Sequence, residues 1–261
     1  MTPLPETVVT AAGGGWLVAA VACPVAALLL AVAGGARFAA RVGVLALPAG
    51  LAIAVGVALA VAKQGAVGYY VGGWAPPLGI ALRADTLSAA MLVATAIVAS
   101  GAGLYALSDF GTPRDPAAGR QTLGFWVSLL GAWAALNLAF VGRDLFNLYV
   151  ALELLTFAAV PLVCLDGRAS TLQAALRYLL YALVGSILYL LGAVLLYGAY
   201  GTLDMDLLAR AVRPEPAAWA AAALMTAGLL AKTALFPLHL WLPPRTPARR
   251  RPRAPCSRRS S

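Results

Sequence analysis

Charged side chains are scarce in this chain. Asp, Glu, Lys and Arg make up 11% of the 261 residues, whereas hydrophobic residues make up 62% and the mean hydropathy is +0.85. Soluble domains carry about 25% charged residues, so this composition excludes an ordinary water-soluble protein. We predict a multi-pass protein of the cell membrane, embedded in the lipid bilayer.

Cysteine and histidine are also rare. Cys23 and Cys164 are each alone in an apolar run, Cys256 lies near the carboxyl end, and His239 is the only histidine. Their spacing fits neither a metal site nor a disulfide framework. No flavin, iron–sulfur or nicotinamide motif is present, and no catalytic group of His, Cys or paired carboxylates appears. The sequence therefore predicts no metal site and no cofactor, and it disfavours a membrane-embedded enzyme.

Seven apolar runs reach about 20 residues, the length that a helix needs to cross a hydrocarbon core. They predict an all-α, polytopic transmembrane bundle of about seven helices, because barrel strands would be about 10 residues of alternating polarity. Asp85 and Asp144 precede two of the runs as helix caps. The aromatic segment 69–77 predicts a turn at the membrane interface. The seven runs are 16–34, 42–62, 86–107, 122–141, 145–165, 173–200 and 217–241.

The net charge of +9 comes mainly from the end of the chain. Residues 245–261 hold seven of the 19 basic residues and no acidic one, so residues 1–244 carry 12 basic against 10 acidic residues, or +2. This distribution does not predict a nucleic-acid partner. It predicts a transmembrane domain over 1–244 and a basic, disordered tail over 245–261. Basic residues divide evenly between the loops on the two sides, which leaves the orientation open.

Two charged residues lie inside apolar runs. Glu153 follows the Asp144 cap by nine residues, about 14 Å along a helix and near the middle of a bilayer. Lys232 precedes Pro237 by five residues, and the proline predicts a break in the seventh helix beside the charge. A charge at this depth costs about 3 kcal/mol on insertion scales, and it normally serves ion movement.

Four segments resemble one family of membrane proteins. They are LLAKTALFPLHLWLP (229–243), YGAYGTLD (197–204), YVALELL (149–155) and GGWAPPLGIALRAD (72–85). Over about residues 70–244 the chain resembles the proton-conducting, antiporter-like membrane subunits. That family includes membrane-arm subunits of respiratory complex I, subunits of Mrp-type antiporters and subunits of membrane-bound hydrogenases.

The resemblance implies a role for the two buried charges. In that family a glutamate on the fifth helix and a lysine on the broken seventh helix form half of a proton path, and Glu153 and Lys232 occupy the matching positions. Movement of the lysine toward or away from the glutamate would change its affinity for a proton, because an opposite charge and burial act in opposite directions. The alternative is an ion pair that only fixes helix packing.

Two further residues have alternative explanations. Arg177, near the start of the sixth run, either joins the chain of charges or extends its side chain to the membrane interface. His239, two residues after Pro237, either relays protons or caps the broken helix.

The sequence predicts a proton-translocating, non-catalytic subunit of an NADH:quinone oxidoreductase-like or cation/proton antiporter complex. Other membrane subunits would be its partners, protons would be transported, and exchange of sodium is left open. The alternative is a non-functional truncated fragment or a structural membrane subunit. Flux of protons into vesicles distinguishes these functions.

The last 18 residues depart from the family pattern. The resemblance implies an Ala-His pair and an eighth helix after residue 243, but the chain reads PRTPARRRPRAPCSRRSS over 244–261. One coding of 244–247, CCG-CGC-ACG-CCC, gives Ala-His-Ala when it is read from its third base. We therefore predict a frameshifted, truncated product. A natural basic tail that contacts anionic lipid is the alternative.

Overall fold

The computed structural model of the chain describes residues 13–111, 116–165 and 167–233. Eight α-helices and one two-stranded hairpin form this part of the chain. Pro237, His239 and residues 245–261 lie outside it, as do the predicted helix break and the predicted tail. The helices are α1 Gly15–Gly34, α2 Ala36–Gln64, α3 Thr86–Phe110, α4 Pro116–Val141, α5 Leu145–Val163, α6 Ala169–Tyr200, α7 Met205–Ala211 and α8 Pro216–Lys232, and the strands are β1 Val67–Tyr70 and β2 Ala81–Ala84.

The predicted all-α, polytopic class is confirmed. Helices α1 to α6 are each long and apolar enough to cross a membrane. The seventh predicted run begins as α8, and 17 of its residues lie in the part that the structure describes. Six crossing helices and the first part of a seventh therefore account for the predicted runs within the described ranges.

The second helix begins earlier than its apolar run predicted. It starts at Ala36 rather than at residue 42, because the connection from α1 is the single residue Gly35. Gly35 adopts a φ of +72°, a region that glycine enters without steric cost, and its N–H donates to the carbonyl of Ala31. Arg37 and Arg41 therefore lie in the first turns of α2 instead of in a loop.

The aromatic segment 69–77, predicted as an interfacial turn, forms the end of β1 and most of the connection to β2 in a β-hairpin. Strands β1 and β2 are antiparallel, with Val67 opposite Ala84 and Tyr70 opposite Ala81. The N–H of Arg143 donates to the carbonyl of Ala81, which ties the connection between α4 and α5 to the edge of β2. The hairpin and the starts of α3 and α5 therefore lie at the same end of the bundle.

Two buried tryptophans on α4 fill the centre of the first four helices. Trp126 and Trp133 lie against Gly43 and Gly50 of α2, and a Cβ at either glycine would overlap the indole ring. The missing side chains let α2 and α4 approach closely, so this half of the bundle is tightly packed. Helix α5 packs against α4 of this half.

Candidate functional site

Helix α5 carries Glu153 into the interior of the bundle. The side chain of Asp144 accepts hydrogen bonds from the N–H groups of Phe146 (2.8 Å) and Asn147 (3.0 Å), as predicted for a cap. The helix therefore starts at Leu145, and Glu153 lies about 14 Å from the cap along the axis. Its side chain is 15% exposed.

Helices α6 and α8 pack closely through glycines. A Cβ at Gly228 of α8 would lie 2.8 Å from the backbone nitrogen of Tyr189, and one at Gly185 of α6 would lie 2.8 Å from the carbonyl oxygen of Gly228. Small residues allow this approach of two helices in a membrane. The close packing brings the side chain of Lys232 within van der Waals reach of position 185.

The structure brings Glu153 and Lys232 together. The Lys232 Nζ lies 3.1 Å from the Glu153 Oε1, and the lysine side chain is 11% exposed. Nζ also donates to the carbonyl of Leu152 (3.3 Å) and to the hydroxyl of Thr156 (3.4 Å). An ammonium group has three donors, and all three have an acceptor on α5. The charge is therefore held between α5 and α8.

Two hydroxyl groups complete the surroundings of the ion pair. Ser186 of α6 donates to Glu153 Oε1 and lies 2.9 Å from the carbonyl oxygen of Ala182. Thr156 donates to the carbonyl of Leu152, one turn earlier on α5. Sequence reasoning missed both residues, although each is a polar side chain within an apolar run, which was the available signal.

A cavity of about 240 Å³ opens beside the pair. Most of its wall is apolar, and the lining residues with polar side chains, among those that the structure describes, are Thr156, Tyr178, Lys232 and Thr233. The volume is large enough to admit several water molecules. The lining residues are Leu152, Leu155, Thr156, Tyr178, Ala182, Leu229, Ala231, Lys232 and Thr233.

Of the other predicted site residues, the structure describes only Arg177, which does not join this cluster. Arg177 is exposed on α6, and it makes no ion pair within residues 13–111, 116–165 and 167–233. It precedes Ser186 by nine residues, about 14 Å along the helix. His239 and Pro237 lie beyond the described region.

A second group of charges lies at the end of the bundle that holds the hairpin. Asp206 of α7 pairs with Arg143 (2.7 Å) and with Arg83 of β2 (3.3 Å). Burial alone would raise the pKa of Asp206, but the hydrogen bond and charge of Arg143 and the charge of Arg83 outweigh it, and the pKa is lowered. Burial raises the pKa of Asp204, which caps α7. This group fastens the hairpin and α7 to the start of α5.

The part of the chain that holds the ion pair matches a known family. The family model described as "NADH:quinone oxidoreductase/Mrp antiporter, TM" matches residues 142–246. The matched stretch includes α5, α6, α7 and α8, and therefore both Glu153 and Lys232.

Curated relatives extend the similarity to most of the chain. NADH-quinone oxidoreductase subunit N of Desulforudis audaxviator (strain MP104C) is 40% identical over 204 residues, which cover 76% of this chain and 40% of the relative. A Na(+)/H(+) antiporter subunit of Bacillus subtilis (strain 168) is 32% identical over 176 residues, covering 66% of this chain and 34% of the relative. The chain thus spans 40% or less of these two relatives.

The fold of this chain also matches that of a chain in a solved structure. A chain in the structure of the Mrp complex from Dietzia sp. DQ12-45-1b superposes with a TM-score of 0.74 and 26% identity, over 89% of this chain and 43% of that chain. Sequence and fold agree that this chain belongs to the antiporter-like membrane-subunit family of NADH:quinone oxidoreductases and Mrp antiporters.

Proposed function

We propose that this chain is a proton-translocating subunit, and that Glu153 and Lys232 are the acid and the base of its proton path. The main support is one observation: an amine and a carboxyl group lie 3.1 Å apart, largely buried, between helices that can cross a membrane. Ionisable residues at such depth are retained for function by default.

The electrostatics of the pair suit a reversible proton carrier. At a separation of about 3 Å and an effective dielectric of about 20, the attraction is about 5 kcal/mol before desolvation is counted. Doubling the separation halves it, which changes the proton affinity of the lysine roughly a hundredfold. Movement of the Lys232 amine by a few ångströms relative to Glu153 would therefore be enough for it to bind or release a proton.

The surroundings supply a route for the proton. The cavity beside Lys232 can admit water, and water could accept the proton when the amine moves away from Glu153. We propose Arg177 and His239 as further charges on the route, and a break of the seventh helix at Pro237 as a part of it. Pro237 and His239 lie in the matched family stretch but beyond the described residues.

The partners follow from the family. The relatives are a subunit of an NADH-quinone oxidoreductase and a subunit of a Na(+)/H(+) antiporter. We propose that this chain likewise works beside other membrane subunits, which would provide electron transfer or cation exchange. The chain would move protons without catalysing a redox reaction itself.

Two single variants in the assembled complex test the function. Glu153→Gln and Lys232→Ala each remove one ionisable group, and we expect proton flux into vesicles, followed with a pH-sensitive dye, to fall about a hundredfold. Glu215→Gln and Lys63→Ala are matched controls, because both residues are exposed at helix ends. Full flux in Glu153→Gln or Lys232→Ala would refute the proposal.

A purely structural ion pair is the second candidate, favoured by the contacts that join α5 to α8 through Lys232. Breaking one partner of a buried pair costs about 3–5 kcal/mol, whereas replacing both with apolar residues is often neutral. If the pair is structural, the double variant Glu153→Leu/Lys232→Met should regain both stability and flux. If the pair carries protons, the double variant should regain stability only.

A further inference from the structure

Ser186 is the most enclosed polar side chain of the site. It is 1% exposed and lies one turn after Ala182 on the face of α6 that meets α5. Its neighbour Gly185 lies against Gly228 and Lys232 of α8, and the Ser186 hydroxyl itself contacts Glu153.

The single hydrogen of this hydroxyl has two acceptors within reach. One is Oε1 of Glu153, and the other is the carbonyl oxygen of Ala182 at 2.9 Å. A serine hydroxyl donates one hydrogen bond and accepts two, so it cannot donate to both oxygens at once. Serine in a helix commonly donates to the carbonyl four residues earlier. A rotation of the hydroxyl hydrogen, with no movement of heavy atoms, changes the acceptor.

The geometry points to Ser186 as a positioning residue that holds Glu153 in both of its protonation states. When Glu153 is charged, Ser186 donates to Oε1. When Glu153 is protonated, the carboxyl O–H donates to Ser186 Oγ, and the serine hydrogen turns to the carbonyl of Ala182. The proton on Glu153 comes from the ammonium of Lys232 or from water, and Ser186 keeps its own hydrogen throughout. The inference rests on the proposed proton path.

A side chain that can only donate hydrogen bonds could not bind Glu153 in both of its protonation states. A buried hydrogen-bond acceptor or donor that is left without a partner costs about 1–3 kcal/mol. A carboxyl group whose neighbour cannot change between donor and acceptor would therefore be destabilised in one of its two protonation states. The serine hydroxyl avoids that cost in each state because it reverses its role. Lys232 cannot do so, since a charged ammonium only donates.

Infrared difference spectra of the assembled complex, acid minus alkaline, test the hydrogen bond. The carboxylic C=O band that disappears in Glu153→Gln belongs to Glu153. In Ser186→Ala we expect this band at higher frequency, as for a carboxylic acid with a weaker hydrogen bond, and proton flux lowered about tenfold. Ser186→Thr keeps the hydroxyl and should keep the wild-type band.

Ser128→Ala is the matched control, because Ser128 is buried on α4 and is not among the described residues that bind Glu153 or Lys232 or line the cavity. Its band and flux should equal those of the wild type. An unmoved Glu153 band or unchanged flux in Ser186→Ala would overturn the inference, as would an equal shift in Ser128→Ala. If Ser186→Ala fails to assemble, Ser186→Cys takes its place, since a thiol is a weak donor and acceptor. Failure of the proposed function would appear differently, as full flux in Glu153→Gln.

Discussion

Lys232 has three acceptors on one helix, and this arrangement separates it from an ordinary buried charge. Glu153 supplies the negative charge, while the Leu152 carbonyl and the Thr156 hydroxyl complete the shell. A fully paired ammonium is stable where it lies, and lysine is a residue type that can change its protonation state when it is buried. Arginine would satisfy similar acceptors and yet remain protonated at every accessible pH.

At the residue scale, Asp206 gives a prediction about stability and pH. Its folded-state pKa is lowered, so it adds stability above its unfolded pKa of about 3.9, and this contribution is lost as pH falls through the lower folded value. Because Asp206 is 46% exposed, we expect Asp206→Asn to lower the free energy of unfolding by only about 1 kcal/mol at pH 7.

Denaturant unfolding in detergent measures this difference. The difference in free energy of unfolding between wild type and Asp206→Asn should be constant above about pH 5 and should disappear as the pH falls below about 4. Asp109→Asn, at an exposed position near the end of α3, should show no such difference. A difference that widens in acid would contradict the assigned ion pairs.

The two ionisable residues could be identified from the sequence because a charge in an apolar run is conspicuous. Their hydrogen-bond partners could not be identified in this way. Ser186 and Thr156 lie in different helices, and serine and threonine are common in transmembrane helices, where they satisfy their own backbone. Only the packing of α6 against α5 shows that Ser186 reaches Glu153 rather than lipid.

At the element scale, the position of Lys232 depends on how closely α8 approaches α6. A Cβ at Gly228 would lie 2.8 Å from the nitrogen of Tyr189, closer than van der Waals contact allows. The two helices would have to separate, and the lysine at the end of α8 would move with its helix. Packing at this crossing therefore sets the distance between Nζ and Oε1.

Gly228→Ala tests this dependence. We expect it to lower the free energy of unfolding by about 1–3 kcal/mol through overpacking, and to reduce proton flux. Gly198→Ala is the control on α6, since a Cβ there has no atom within 4 Å, and it should be neutral or stabilise the helix by about 0.5–1 kcal/mol. Equal stability of the two variants, measured by thermal unfolding, would argue against a close crossing.

The helices that cross the bilayer could be predicted because hydrophobic length alone specifies them. The smaller elements of secondary structure could not be predicted in this way. The hairpin lies in a stretch rich in glycine and proline, where no alternation of polarity marks a strand, and α7 is only seven residues long. The start of α2 at Ala36 was missed because Arg37 and Arg41 interrupt the apolar run, although arginines are tolerated where a helix reaches the membrane surface.

At the scale of the whole molecule, the bundle has two distinct ends. The hairpin, α7 and the charged group around Asp206 lie at one end, and the single-residue turn at Gly35 lies at the other. Helix α2 connects them. Its 29 residues span about 43 Å, longer than a hydrocarbon core of about 30 Å.

Arg37 and Lys63 should therefore lie on opposite sides of the membrane. Both are exposed, near opposite ends of α2. In a background without native cysteines, we expect a membrane-impermeant maleimide to label Arg37→Cys from one side and Lys63→Cys from the other, in sealed vesicles of known orientation. Labelling of both from the same side would show that α2 does not cross. The same experiment determines the orientation that the loop charges leave open.

Proton flux through the assembled complex with Lys232→Arg is the most direct test of the central claim, because arginine keeps the positive charge beside Glu153 but does not release its proton. If Lys232 carries protons, the assembled variant shows flux that falls to the level of Lys232→Ala. Flux at the wild-type rate in Lys232→Arg would contradict proton transfer by this residue and leave the pair a purely structural role.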